Sequence, residues 1–272
     1  RDPLWSRGLG DVYKRQKLTC FKGWKRAANQ IPFLDKITGE YARQWTAAWF
    51  MCGAAALFWG VWKTTEHLPQ DWFYFAVSLI GLVCVVSLSF RRNVLGNGFG
   101  MLATAGESVV QGMHGSVGLM LAPMFNFFTH LYGLVYWAKN SDGEGHVIPK
   151  SASRAAWALT LAAIAAGLAL FPTLNSWLAS LGYGHIITDD GDQFLGRINF
   201  FWINVLAFVL SITAQMAMIL RYSFSGWLWL LVNAVWLVVN LMTQNYIFAI
   251  QTVVYQVNAV VSLYEWQRSS RA

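Results

Sequence analysis

The chain has 272 residues, of which 56% are apolar and only 12% charged, about half the charged share of an ordinary soluble domain. Its 15 Trp, 18 Phe and 10 Tyr, with a mean hydropathy of +0.40, carry more apolar surface than one soluble core of this length can hide. Disordered chains, nucleic-acid arms and disulfide-stapled scaffolds are excluded, and a polytopic all-α membrane protein is implied. The formal net charge of +7 then reports topology rather than a nucleic-acid partner. Cys20, Cys52 and Cys84 are isolated and form no CxxC, so they read as packing residues.

Residues 1–16, RDPLWSRGLGDVYKRQ, have neither apolar periodicity nor the apolar core of a signal peptide, and read as a disordered start. Residues 18–40 mix Lys and Arg with Phe, Trp, Ile and Leu, a composition that predicts an interfacial helix with its cations near anionic lipid. Together they make a cytoplasmic N-terminal segment, 1–43, ahead of a transmembrane domain, 44–268.

A crossing needs about 20 mostly apolar residues. Eight stretches qualify: 44–63, 70–90, 95–113, 115–138, 153–172, 196–220, 225–243 and 246–266. The third is the weakest, being Gly-rich and holding Asn97, Glu107 and Gln111. With eight spans, ten basic residues before residue 44 fall on one side together with Arg91, Arg92, Lys139, Lys150, Arg154, Arg221, Arg268 and Arg271. Lys63 and Arg197 alone fall on the other, beside Asp189, Asp190 and Asp192. That imbalance puts both termini in the cytoplasm.

A shift of 128 residues carries the second to fourth spans onto the sixth to eighth. Asn97-Gly98-Phe99 falls on Ser225-Gly226-Trp227, and Gly133-Leu134-Val135-Tyr136 on Val261-Ser262-Leu263-Tyr264, with Trp137 one position from the equivalent of Trp266. Two three-helix units, about 70–138 and 196–266, are therefore expected to point the same way across the membrane. The fifth span, 153–172, is their linker helix, and 44–63 is an extra N-terminal span.

Polar residues inside spans should face partners or water. Trp229, Asn233, Trp236 and Asn240 are spaced 4, 3, 4 and share one helix face. The same spacing recurs in Gln251, Tyr255, Asn258 and Ser262, in Asn204, Phe208, Ser211 and Gln215, and in Asn126, His130, Gly133 and Trp137. Glu107, Gln111 and His114 follow at 4 and 3. Interhelical amide bonding explains any one Asn or Gln. Two Trp interleaved with two Asn instead offer flat π faces and amide groups to a heteroaromatic ring carrying hydroxyls. Glu107, the one acidic residue well inside a span, balances a cationic ligand or is protonated. The candidate substrate-binding residues are Trp229, Asn233, Trp236, Asn240, Tyr255, Asn258, Glu107, Gln111 and Asn126.

On these residues the sequence resembles the Pnu family of bacterial vitamin transporters, its PnuC-type nicotinamide riboside carriers in particular. The resemblance covers roughly residues 44–268. Trp236 and Asn240 fit the last two positions of the family's Trp-x-x-Trp-x-x-x-Asn signature. Asn233 stands where its first Trp would be, and Trp229 lies one turn earlier. The resemblance implies a fold like the sugar-carrying SWEET proteins, with two parallel triple-helix bundles, a linker helix and one site between bundles. It also implies a homotrimer in the bacterial inner membrane, carrying a vitamin by facilitated diffusion. A cytoplasmic kinase that phosphorylates the vitamin would trap it inside.

Enzyme chemistry has no support: there is no HExxH, no GxSxG and no paired carboxylates within the spans, and no cofactor, metal or nucleic acid is implied. The absence of a phosphate-cradling loop argues against ATP-driven transport by this chain alone. Thiamine or riboflavin uptake on the same fold, and a proton-coupled sugar-type carrier using Glu107, remain as alternatives.

Overall fold

The protein is described from a computed structural model covering residues 31–113, 117–189, 191–244 and 246–271. It divides into two compact units on either side of Trp45–Thr46, the first of them described over residues 31–45. The expected disordered start, residues 18–30 of the expected interfacial helix, Cys20, His114 and Asp190 lie outside the described residues, as does the side chain of Gln111. In the first unit, α1 (Pro32–Thr38) starts with Pro at its first helical position, and Thr38 closes it by donating to the Leu34 carbonyl at 2.8 Å.

The long helices are α2 (Ala42–Thr64), α3 (Pro69–Ser89), α4 (Asn93–Met113), α5 (Val117–Ala138), α6 (Arg154–Ser180), α7 (Phe200–Ile219), α8 (Ser225–Met242) and α9 (Tyr246–Ser269). Six of them, α2, α3, α6, α7, α8 and α9, are long and apolar enough to cross a membrane. The weak third stretch is helical as expected, α4 running 21 residues, and α5 runs 22. Caps set several starts. The Asp71 carboxylate accepts from the Leu68 amide at 2.8 Å, the Ser153 hydroxyl from Ala156 at 3.0 Å, and the Asn199 side chain from Phe201 at 2.7 Å.

Two boundaries differ from the sequence reading. The linker helix does not stop at residue 172 but runs through Pro172 to Ser180. Asn175, buried in that extra length, accepts from the amides of Ile186 and Ile187 and donates to the Ile187 carbonyl, tying the following loop back onto the helix. The sixth stretch begins at Phe200 rather than 196, because Gln193–Phe194 (β1) and Ile198–Asn199 (β2) pair as a small antiparallel hairpin. Its turn holds Leu195 at φ 54° and Gly196 at φ 65°, a left-handed pair that no helix contains.

In the second unit, helices adjacent in sequence pack together: α3 on α4 on α5, and α7 on α8 on α9. The two trios then meet crosswise, the first helix of each packing on the last of the other, α3 on α9 and α7 on α5. The linker α6 packs on α7, where Gly167 lets Val209 approach. α2 reaches α3 and α9 through Gly53, which lies against Leu82 and Val254, and through the Trp49 indole, which donates to the Val254 carbonyl at 3.1 Å.

The basic end of this unit is closed twice by one set of contacts. α3 and α7 end in the same turn, with Arg91 (φ 59°) and Arg221 (φ 71°) in the left-handed position that usually holds Gly. In each turn the Arg amide and the next one donate back, Arg91 to Leu88 and Arg92 to Ser87, Arg221 to Met218 and Tyr222 to Ala217. Trp266 near the end of α9 donates to the Leu88 carbonyl at 3.0 Å, and Trp137 near the end of α5 donates to the Ile219 carbonyl at 2.8 Å. The residue before each Trp receives the opposite Arg: Glu265 pairs with Arg91 at 3.1 Å, and the Tyr136 ring lies under the Arg221 guanidinium at 5.2 Å. Both guanidinium groups also donate at 2.9 Å to the intervening loop, Arg91 to Val147 and Arg221 to Ile148. The two indoles meet in the middle with ring centres 5.6 Å apart.

Candidate functional site

The polar residues of the long helices gather in three places. The first is the α8 stripe. Its helical face presents Trp229, Asn233, Trp236 and Asn240 together, as the spacing predicts, but each is held differently. The half-buried Trp236 donates through Nε1 to the Ser211 hydroxyl of α7 at 2.8 Å. Asn240 is buried and donates to the Thr252 hydroxyl of α9 at 3.1 Å. Trp229 packs against the Trp137–Trp266 core, its Nε1 buried without a hydrogen-bond partner among the described residues. Asn233 is buried as well, and no side-chain hydrogen bond to another described residue is formed by it.

The second lies between α3, α4 and α9. Gln251 accepts from Ser78 at 3.5 Å and donates to the Tyr255 hydroxyl at 2.7 Å. Tyr255 is seated against Gly81, where a Cβ would come 2.5 Å from its hydroxyl oxygen. One turn farther along α9, Asn258 donates to the Ser89 hydroxyl at 2.6 Å, with its Oδ1 buried and unpartnered among the described residues. Glu107 of α4 is half-buried and within electrostatic reach of Cys84 and Tyr255. Its neighbour Gly106 packs on Val77 of α3, level with Ser78.

The third is a chain of hydrogen bonds through α4, α5 and α7. Asn93 donates to the Leu134 carbonyl at 2.8 Å, and Asn97 to Asn93 at 2.9 Å. The Asn97 oxygen meets His130 Nδ1 at 3.0 Å, and Gln215 Nε2 lies 3.2 Å from His130 Nε2 and donates to Thr129 at 3.1 Å. His130 sits against Gly100, whose missing side chain makes its room. This chain uses up its polar groups on one another, so it reads as structure. Asn126, on the same helix and half-buried, stays outside it.

Of the nine candidate residues, the structure thus brings the four of α8 onto one face and groups Glu107 with Tyr255. It joins the two sets through Asn240 and Thr252, while Asn258 lies nearer the basic end. Sequence reading left Ser211, Ser78, Gln251 and Thr252 outside the candidate set, although they hold the aromatic and amide groups in place. Ser211 and Gln251 were visible as members of polar stripes. Thr252 gave no signal, because a Thr hydroxyl that satisfies itself on its own helix, here on the Phe248 carbonyl at 2.7 Å, is tolerated anywhere in a span. Among the described residues no three His, Cys, Asp or Glu side chains are placed to hold a metal ion. Away from the basic end, the described interior offers indole and phenol faces, amides and the Glu107 carboxylate, groups that hold a polar, ring-bearing solute by stacking, hydrogen bonds and charge.

Comparison with known proteins bears on the same region. No curated protein sequence matches the chain. Its fold is similar to that of the crystal structure of the vitamin B3 transporter PnuC, with a TM-score of 0.65 at 19% sequence identity over 91% of this chain and 97% of that one. The profile of the nicotinamide mononucleotide transporter family matches residues 71–268, from the first turn of α3 to the last of α9. The chain is a multi-span membrane transporter, and it belongs to the nicotinamide mononucleotide transporter family.

Proposed function

We propose that the protein takes up a B-type vitamin, nicotinamide riboside in the first place, across the bacterial inner membrane. It has eight spans, both termini lie in the cytoplasm, and α3–α5 and α7–α9 are two parallel repeats joined by α6. The single observation that carries this reading is the doubled closure at the basic end. Two trios that pack crosswise and present the same Arg, Trp and carbonyl partners are what two like-oriented bundles would make, and alternating access is the rocking of one such bundle against the other. The substrate lies between them, stacked on Trp229 and Trp236, with Asn233, Asn240 and Asn258 as amide partners and Glu107, Gln111, Asn126 and Tyr255 on the facing side. Passage is by facilitated diffusion, as the family resemblance implies, and a cytoplasmic kinase makes it one-way by phosphorylating the vitamin. The working assembly is a homotrimer.

The test is a titration of purified protein with nicotinamide riboside, thiamine and riboflavin, followed by Trp fluorescence. Stacking and one amide hydrogen bond supply roughly 1–2 kcal/mol each. Trp236→Ala and Asn240→Ala should therefore weaken binding about tenfold or more. Val238→Ala, on the side of α8 roughly 160° from Trp236, should leave it within about twofold. Equal affinity in all three variants for every vitamin would place the site elsewhere.

A further inference from the structure

Resting on that reading of the site, we propose that Glu107 is its charge selector, so that the protein takes ring compounds bearing a fixed positive charge in preference to neutral ones of the same shape. Glu107 lies on the inward face of α4. Gly96, Gly100, Ala103 and Glu107 follow at spacings of 4, 3 and 4, and the first three are buried, so the carboxylate is aimed into the protein. The opposite face, with Val94, Leu102 and Val109, is exposed.

Among the described residues no Lys or Arg is at hand to answer it. From Pro69 to Ser89, Asn93 to Met113, Val117 to Ala138, Phe200 to Ile219 and Ser225 to Met242 there is no Lys or Arg, and α9 has one only in its last turn. Arg91, Lys150 and Arg221 are engaged at the basic end with Glu265, Tyr136 and the loop carbonyls. Nor does any described side chain donate a hydrogen bond to Glu107. The Tyr255 phenol already accepts from Gln251, and Gln251 from Ser78, so these neutral groups are engaged with one another.

A carboxylate at this depth without a partner is unfavourable unless it takes up a proton or a positive charge joins it, and a cationic guest supplies the second. The indole faces of Trp229 and Trp236 favour the same guest, since a ring quadrupole attracts a cation. A pyridinium or thiazolium ring meets both demands at once, whereas the uncharged flavin ring leaves Glu107 unanswered. The chemistry therefore selects among vitamins that the fold alone does not separate.

Calorimetric titration of the full-length protein in lipid nanodiscs decides it, using nicotinamide riboside and its neutral dihydro form, which keeps the ribose and carboxamide. The parent should bind the cation at least tenfold more tightly. Glu107→Gln, equal in size and checked for an unchanged melting temperature, should lose about tenfold for the cation while leaving the neutral compound within about twofold. Glu107→Asp should retain most of the preference. Parent protein that binds both forms equally, or a Glu107→Gln variant that keeps the preference, overturns the proposal. Thiamine and riboflavin separate it from the reading beneath it. Binding of thiamine alone, weakened in Glu107→Gln, would reject nicotinamide riboside yet support charge selection. Tight binding of riboflavin, untouched by Glu107→Gln, would overturn the selector and leave a vitamin carrier standing.

Discussion

The indoles of Trp137 and Trp266 close the basic end through one hydrogen bond each, yet the two bonds are not equal. The Leu88 carbonyl that accepts from Trp266 also accepts from the Arg91 amide, at 3.0 Å. The Ile219 carbonyl has only the Trp137 indole among the described residues, and Ile219 is fully buried. Trp266→Phe should then lower stability by about 0.5–1.5 kcal/mol, the net worth of one bond, and Trp137→Phe by roughly 1–3 kcal/mol, because it strands a buried acceptor. Melting temperatures in detergent measure both, and a larger loss in Trp266→Phe would refute the asymmetry. The rings touch, so the double variant should fall short of the sum. Sequence reading found these two Trp as a repeat match, one position out of register, but not what they hold. A donor's partner is a backbone carbonyl more than 80 residues away, and no side-chain pattern records a carbonyl. Arg91 and Arg221 were read as topology signals only. Their left-handed backbone, which Gly would occupy without strain, shows that their side chains are wanted there.

At the scale of the element, helix positions were legible because length and apolarity define a crossing almost alone. The failures fall where another signal governs. The linker was expected over 153–172, but in a helix packed on one side the amide missing at Pro172 is tolerated, and Asn175 gives the extra turns a reason to persist by holding the Ile186–Ile187 amides. The hairpin at 193–199 is too short for a period-2 pattern, and its turn lies at the edge of the apolar run that follows. Close packing, by contrast, is a property of helix pairs that glycine spacing only hints at. A Cβ on Gly226 would lie 2.8 Å from the Cα of Leu263, a backbone atom that no rotamer change can move, whereas Gly98 has nothing within 4 Å. Gly226→Ala should force α8 and α9 apart and cost about 1–3 kcal/mol. Gly98→Ala should be neutral or raise stability by up to roughly 1 kcal/mol through helix propensity. Thermal melting of the two variants side by side would check it, and a tolerated Gly226→Ala would mean that the two helices do not approach as described.

For the whole molecule, charge and packing converge on one orientation. The arginines that clasp the basic end are those expected in the cytoplasm: Arg91 with Glu265, Arg221 with Tyr136, and both with the loop at 147–148. The opposite end holds Asp189 and Asp192, and there Asp189 accepts from the Asn199 side chain at 3.3 Å. Lys and Arg are retained on the cytoplasmic side during insertion while Asp and Glu have little influence, so the end clasped by arginines should face inward. An odd number of crossings among α2 to α9 would separate Gly143 from one or other terminus and break this agreement. Single cysteines introduced by Gly143→Cys and Asp192→Cys, after replacement of the native cysteines, decide the matter. Both positions are exposed, Gly143 has open space around it, and neither side chain is part of the bundle interior. A membrane-impermeant maleimide applied to intact cells should label Asp192→Cys at once and Gly143→Cys only after permeabilisation. The reverse pattern would invert the protein in the membrane and with it the direction in which the two bundles open. Labelling of both from outside would remove an odd number of spans between them, and α6, the one long helix lying wholly between residues 143 and 192, would then be a helix that lies along the bilayer and not across it.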